Sequence, residues 1–191
     1  GWGANGQDLA ALAGYMPIPG VKMLFPDAPF PHPEAPGGRM WYSFPTGYDF
    51  QSDHDFEQQA DLQESRQLLK AWLGQMAEET GIPPERTLVA GFSQGGAMTM
   101  DVGLQLPLAG ALVLSGYSHS APAPHPDLGP LLMVHGRQDQ VVPLARAHQS
   151  RDALTAQGVD VTYKEYNIGH EISPVVLQAV LMFCQRLAAK V

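Results

Sequence analysis

TLVAGFSQGG, residues 87–96, opens on strand-forming residues and closes on small residues that suit a helix, with a serine at the junction. Within it Gly91-Phe92-Ser93-Gln94-Gly95 is a G-x-S-x-G in the strand-to-helix setting that presents a nucleophilic hydroxyl on a sharp turn. The glycines have a steric reason. Side chains two residues either side of the serine would collide with the neighbouring strand and helix.

Outward from this run, the residues 111–114 and 131–135 are continuous apolar stretches that read as buried strands, and 159–166 reads as a further strand. Helices are predicted from Ser93 to about residue 104, at 144–157 and at 174–190, the last with Val176, Val180, Phe183 and Leu187 on one face. Upstream, residues 7–15 have helical spacing and 21–25 read as a short buried strand. Asp55 with Gln58 resembles a capping box ahead of a long amphipathic helix that carries Leu69, Trp72, Leu73 and Met76 and ends near Gly81. Strands alternating with helices predict an α/β fold, with a mostly parallel central sheet covered by helices on both faces and function at the carboxyl ends of its strands. No repeat or boundary divides residues 1–191, so a single domain is expected. The proline-rich residues 26–52 form a lid-like excursion longer than a compact domain keeps without a function.

Eleven Lys and Arg against nineteen Asp and Glu give a net charge of −8, which repels phosphate backbones and argues against nucleic-acid binding. With 45% apolar and 16% charged residues the chain buries a sizeable core and is not disordered. No apolar run approaches the roughly 18 residues of a membrane span, so no stable membrane insertion is expected. The one cysteine, Cys184, excludes an intrachain disulfide and sits on an apolar helical stripe as core filler.

A serine hydroxyl is a weak nucleophile and needs an adjacent base, itself oriented by a carboxylate. Asp139 follows the strand at 131–135, and His170 follows the strand at 159–166, so serine, aspartate and histidine come in that order at three strand ends. His135 precedes the acid in the chain and reads as structural. Phe30, Met40, Trp41, Tyr42 and Phe44 in the excursion are apolar side chains suited to an acyl groove, with Met40, Trp41, Phe44 and Val141 taken as its lining. His32, His119 and His125 receive no role.

Gly1-Trp2-Gly3-Ala4, Gly91-Phe92-Ser93-Gln94-Gly95-Gly96, Leu114-Ser115-Gly116, His135-Gly136 to Asp139 with Val141-Val142-Pro143, and Gly169-His170 together resemble the phospholipase/carboxylesterase family of α/β-hydrolases. The family includes acyl-protein thioesterases and small bacterial carboxylesterases. The resemblance implies a serine hydrolase that cleaves carboxylic esters or thioesters through an acyl-enzyme, with Ser93 as nucleophile, His170 as base and then acid, and Asp139 as the orienting carboxylate. It further implies an oxyanion hole from the backbone N–H groups of Trp2 and Gln94, a small-molecule or lipid-like acyl substrate, cytosolic residence and frequent homodimers. The reaction needs no cofactor and no metal.

Rival readings remain open at this level. Gly1-x-Gly3-x-x-Gly6 before a helix, with Asp27 about 20 residues on, fits a dinucleotide fingerprint, but that use leaves Ser93, Asp139 and His170 unexplained. Asp53-His54-Asp55 could suggest a metal, yet acidic residues at a helix start are favoured by the helix dipole. A non-catalytic ligand-binding protein on the same fold, or a lactone or peptide hydrolase, is the alternative function. A turn that donates the Trp2 N–H also needs support on its amino side. The expectation is therefore a further apolar strand upstream of Gly1, lying between residues 21–25 and 87–92; a continuous ladder between those two segments would contradict it.

Overall fold

The computed structural model describes residues 1–51 and 54–189. Its main sheet has four parallel strands in the order β3 (Leu88–Phe92), β4 (Gly110–Leu114), β5 (Leu131–Gly136) and β6 (Val161–Tyr166). Every residue of β4 and β5 is buried, which is why these strands read as unbroken apolar runs. The pleat divides them by parity. Leu112, Leu114, Leu132 and Val134 pack on α5 (Pro174–Ala188), through Val176, Val180, Phe183 and Leu187. Ala111, Val113, Leu131 and Met133 face the opposite way, onto Met100, Leu104 and Leu154. Cys184 is buried in the α5 interface, where desolvation pushes its thiol up to about 11, as suits an inert core residue.

The register aligns the strand ends. Phe92 lies opposite Leu114, Leu114 opposite Val134, and Gly136 opposite Tyr166. Ser93, Asp139 and His170 all follow these residues, so one edge of the sheet collects them. A third cluster, with Tyr42, Phe56, Leu62, Leu69, Met98, Tyr117 and Val142, joins α2 (Ala60–Thr80) and the 41–56 segment to α3 (Gln94–Asp101).

Several expectations are corrected. Residues 21–25 carry no strand: among the described residues they join no ladder, and Val21 and Leu24 stand 46% and 41% exposed. An apolar run becomes a strand only where a neighbour supplies its backbone bonds. Residues 21–25 form no ladder with β3, whose edge away from β4 has no strand partner among the described residues. The 26–52 excursion is not wholly irregular, since β1 (Phe30–Pro31) and β2 (Arg39–Met40) pair as a short antiparallel hairpin. Asp55 caps a 3₁₀ turn at Phe56–Gln58, accepting from the Glu57 N–H, and α2 begins only at Ala60 without a side-chain cap. The first helix, α1, is one short segment, Gly6–Ala10, followed by a 3₁₀ turn, and α4 (Leu144–Ala156) packs on β5 and β6.

Candidate active site

Ser93 sits between β3 and α3 at φ 55° and ψ −118°, a conformation that costs a non-glycine residue of order 1–3 kcal/mol. The surroundings enforce it. The Ser93 N–H donates to the Leu114 carbonyl at 2.8 Å, and its own carbonyl accepts from Ala97 at 3.0 Å. A Cβ on Gly91 would stand 2.0 Å from the Gly95 carbonyl oxygen, and one on Gly96 would stand 3.0 Å from the Gly116 Cα. Strand, turn and helix are thus in backbone contact at Gly91 and Gly96; at Gly95, against expectation, a Cβ would meet only Trp41 Nε1 at 4.0 Å, so the steric reason does not extend to it.

His170 Nε2 lies 2.8 Å from Ser93 Oγ, and its Nδ1 lies 2.7 Å from Asp139 Oδ2. An ionised carboxylate only accepts, so Nδ1 carries a proton toward Asp139 and Nε2 faces the serine hydroxyl. Asp139 Oδ1 accepts from the N–H groups of Val141 and Val142, at 2.9 and 2.8 Å. The loops bearing Asp139 and His170 are tied by Arg137 N–H to the Tyr166 carbonyl and Gln138 N–H to the Ile168 carbonyl. A Cβ on Gly136 would meet the Gly169 carbonyl oxygen at 2.3 Å, so glycine permits the two loops to touch. His135, read as structural, is buried and donates through Nε2 to the Val142 carbonyl at 2.9 Å, bracing the Asp139 loop.

Burial pushes the Asp139 carboxyl up, but the His170 hydrogen bond and the Val142 and Val141 N–H groups outweigh it and hold the group below its ordinary value. A carboxyl depressed on folding adds stability above its unfolded pKa and loses it as pH falls through the folded one. The difference in unfolding free energy, wild type minus Asp139→Asn, is therefore expected to shrink as pH drops below about 4. Chemical unfolding across that range measures it; a constant difference would mean that Asp139 is not held this way.

The turn at residues 1–4 rests on Phe92 and Ser93. A Cβ on Gly1 would lie 3.3 Å from the Phe92 ring and 3.7 Å from Ser93 Cβ. The Trp2 ring, 44% exposed, packs edge-on against His32 and Phe44. Gln94 is the first residue of α3, so its N–H has no acceptor within the helix. Of the residues taken as groove lining, Trp41 brings its indole Nε1 to 4.0 Å from where a Gly95 Cβ would be, Phe44 touches Trp2, Met40 ends the hairpin, and Val141 is 54% exposed. A cavity of about 310 Å³ lies elsewhere along the same wall, lined by Tyr48, Phe50, Phe56 and Tyr117 among others.

The dinucleotide fingerprint is spent internally. The Gly6 N–H donates to Asp27 Oδ1 at 2.6 Å, and Asn5 and Asp8 close a capping box over the same helix end. In the Asp53-His54-Asp55 cluster Asp53 lies outside the described residues, His54 Nε2 bonds Gln59 Oε1 at 3.1 Å, and Asp55 caps its 3₁₀ turn. Sequence reasoning missed a buried polar chain: Tyr117 and Tyr42 share a hydroxyl hydrogen bond, Tyr42 Oη meets His119 Nε2 at 2.7 Å, and His119 Nδ1 meets Asp101 Oδ2 at 3.1 Å. Arg66 then bridges Asp101 and Glu57. No local spacing marks these residues, which come from five separate segments.

A hydroxyl held at positive φ by a parallel strand and a helix, with an aspartate and a histidine delivered by the ends of β5 and β6, defines an α/β-hydrolase. The chain belongs to the phospholipase/carboxylesterase family, whose profile matches residues 1–188. It is 35% identical over 123 residues to acyl-protein thioesterase 1 of Gibberella zeae, a match spanning 59% of this chain and 52% of that protein. It is 30% identical over 182 residues to acyl-protein thioesterase 1 homolog 1 of Dictyostelium discoideum, covering 89% of this chain and 78% of that protein. The chain thus spans about half the length of the first relative and more of the second. Among solved structures, the esterase PE8 matches with a TM-score of 0.86 at 27% identity, over 98% of this chain and 89% of that one. SOBER1 of Arabidopsis thaliana matches with a TM-score of 0.83 at 27% identity, over 98% and 95%. Among the described residues no helix is long and apolar enough to cross a membrane.

Proposed function

We propose that this chain is a serine hydrolase that cleaves carboxylic esters or thioesters through an acyl-enzyme. The observation that carries the reading is the single imidazole bridging Ser93 Oγ and Asp139 Oδ2, at 2.8 and 2.7 Å. In this reading Ser93 Oγ bonds to the substrate carbonyl carbon as its proton passes to His170 Nε2. The negative charge that develops on the carbonyl oxygen is met by the backbone N–H groups of Trp2 and Gln94. Collapse breaks the bond to the alkoxide or thiolate, which leaves with the proton from His170. Water then repeats the sequence on the acyl-enzyme, releasing the acid and restoring the serine. Nucleophile, base and oxyanion donors all come from the chain, so the scheme calls for no cofactor.

One domain over residues 1–191, an acyl substrate of small-molecule or lipid-like kind, cytoplasmic residence and a homodimer complete the proposal; the family resemblance supports them. A fluorophosphonate probe with a panel of esters and thioesters of graded acyl length is the test. Stoichiometric labelling at Ser93 with turnover is expected, and a protein refractory to the probe would be a binding module instead. Trp41, beside Gly95, is taken as acyl wall. Trp41→Ala is expected to alter discrimination between short and medium acyl chains by about 1–3 kcal/mol while Ser93 still labels. Unchanged relative rates across the panel would make Trp41 a packing residue only.

A further inference from the structure

The two oxyanion donors proposed above belong to segments far apart in the chain, and among the described residues no hydrogen bond runs directly between residues 1–4 and 93–95. Both segments are instead bonded to one strap, residues 39–42. On one side the Gly3 N–H donates to the Arg39 carbonyl at 2.8 Å, and the Arg39 N–H donates to the Ala4 carbonyl at 3.3 Å. Gly38 lies so close that a Cβ there would meet the Gly3 carbonyl oxygen at 2.4 Å. On the other side the Gln94 side chain reaches back from α3. Its Oε1 accepts from the Trp41 N–H at 2.8 Å and its Nε2 donates to the Tyr42 carbonyl at 2.8 Å.

The Gln94 side chain is fully buried, and a buried primary amide is tolerated only when both its groups are paired. Here it offers one acceptor and one donor to successive residues, Trp41 and Tyr42, at the bend that follows β2. A carboxylate could accept from Trp41 but not donate to Tyr42, and an aliphatic side chain could do neither. The strap is held independently as well. The Arg39 guanidinium donates to the carbonyls of Ala28 and Pro29, at 2.8 and 2.6 Å, and Ser65 Oγ donates to the Trp41 carbonyl.

We propose that the Gln94 side chain is a positioning residue of the oxyanion hole, which through residues 39–42 sets the placement of the Gln94 N–H relative to the turn carrying the Trp2 N–H. The inference rests on the hydrolase reading. Donors stabilise a developing oxyanion only when fixed before reaction, and a displacement of about 1 Å is enough to lose roughly 10²-fold in rate.

Gln94→Leu keeps the backbone N–H at this position and removes both side-chain bonds. The measurement compares kcat and KM on an activated ester with the affinities of two inhibitors of matched acyl chain. One is a trifluoromethyl ketone, which forms an oxyanion on Ser93; the other is the corresponding alcohol, which does not. The expected result is a fall in kcat of about 10²-fold with KM within about 3-fold, and a parallel loss of trifluoromethyl ketone affinity while the alcohol binds as before. Unchanged kcat, or equal losses for ketone and alcohol, would overturn the proposal. If Gln94→Leu does not fold, Ser65→Ala loosens the same strap more gently. A kcat decrease of about 3-fold or more with the same inhibitor split supports the proposal, and wild-type behaviour overturns it. Labelling of wild-type Ser93 by a fluorophosphonate separates the two readings: if the wild type labels and the variants behave normally, only this inference fails; if it does not label, the hydrolase reading fails first.

Discussion

Ser93→Ala and His170→Ala are each expected to lose about 10⁴-fold or more in kcat on an activated ester, with Asp139→Asn losing somewhat less. The losses are large because the three groups act as a unit. Without Oγ there is no acyl-enzyme, and without His170 the serine hydroxyl loses its hydrogen-bond partner among the described residues, Nε2 at 2.8 Å. Asp139→Asn keeps the shape but presents an amide where Nδ1–H now finds an ionised oxygen, at 2.7 Å, which favours the wrong histidine tautomer. Activity above water that survives in the single variants would belong to the oxyanion donors and to binding. Steady-state kinetics on purified variants decide the matter, and turnover within about tenfold of wild type for any of them would remove that residue from the mechanism.

Gly91→Ala should fail at an earlier step, in folding. The added Cβ would stand 2.0 Å from the Gly95 carbonyl oxygen, 2.2 Å from its carbon and 2.6 Å from the Gly96 nitrogen, all backbone atoms of the first turn of α3. That turn cannot retreat. Gln94, Ala97 and Met98 are buried, Ser93 is bonded to Leu114, and Gly96 is already against Gly116. A loss of about 4 kcal/mol or more is expected, large against the roughly 5–15 kcal/mol that holds a typical domain together. Gly74→Ala is the control, because Gly74 lies in the exposed face of α2 with nothing near its absent Cβ, and alanine there should stabilise by about 0.5–1 kcal/mol. Soluble yield and urea unfolding of the two variants read the contrast. A Gly91→Ala protein as stable as wild type would mean that strand and helix are not in backbone contact at the elbow.

The parts legible in the sequence are those where one residue's chemistry is settled by close neighbours in the chain. Gly91 ahead of Ser93 marks a strained turn because the clash it avoids, with the Gly95 carbonyl, is local. The runs at 111–114 and 131–135 mark buried parallel strands because both faces of each strand are covered. From those strands the order of Ser93, Asp139 and His170 at the ends of β3, β5 and β6 follows, since parallel strands place their carboxyl ends on one edge. Residues 21–25 and 55–58 misled for the converse reason: a strand needs a partner and a cap needs the right helix start, and neither is written in the segment itself.

Tertiary structure alone decided which distant groups meet. The hydrogen bonds from Gln94 to Trp41 and Tyr42, the chain from Tyr117 through Tyr42 and His119 to Asp101, and the Gly6 N–H spent on Asp27 each join residues many positions apart. Most of the strand and helix pattern, the elbow, and the choice of Ser93, Asp139 and His170 as groups that meet were legible in the sequence alone, because periodicity and turn sterics act over a few residues. It left open the partners of buried polar side chains, because a buried amide or hydroxyl must be satisfied by whatever the folded packing brings within about 3 Å, and that choice is made only when the whole sheet and its covering helices are in place.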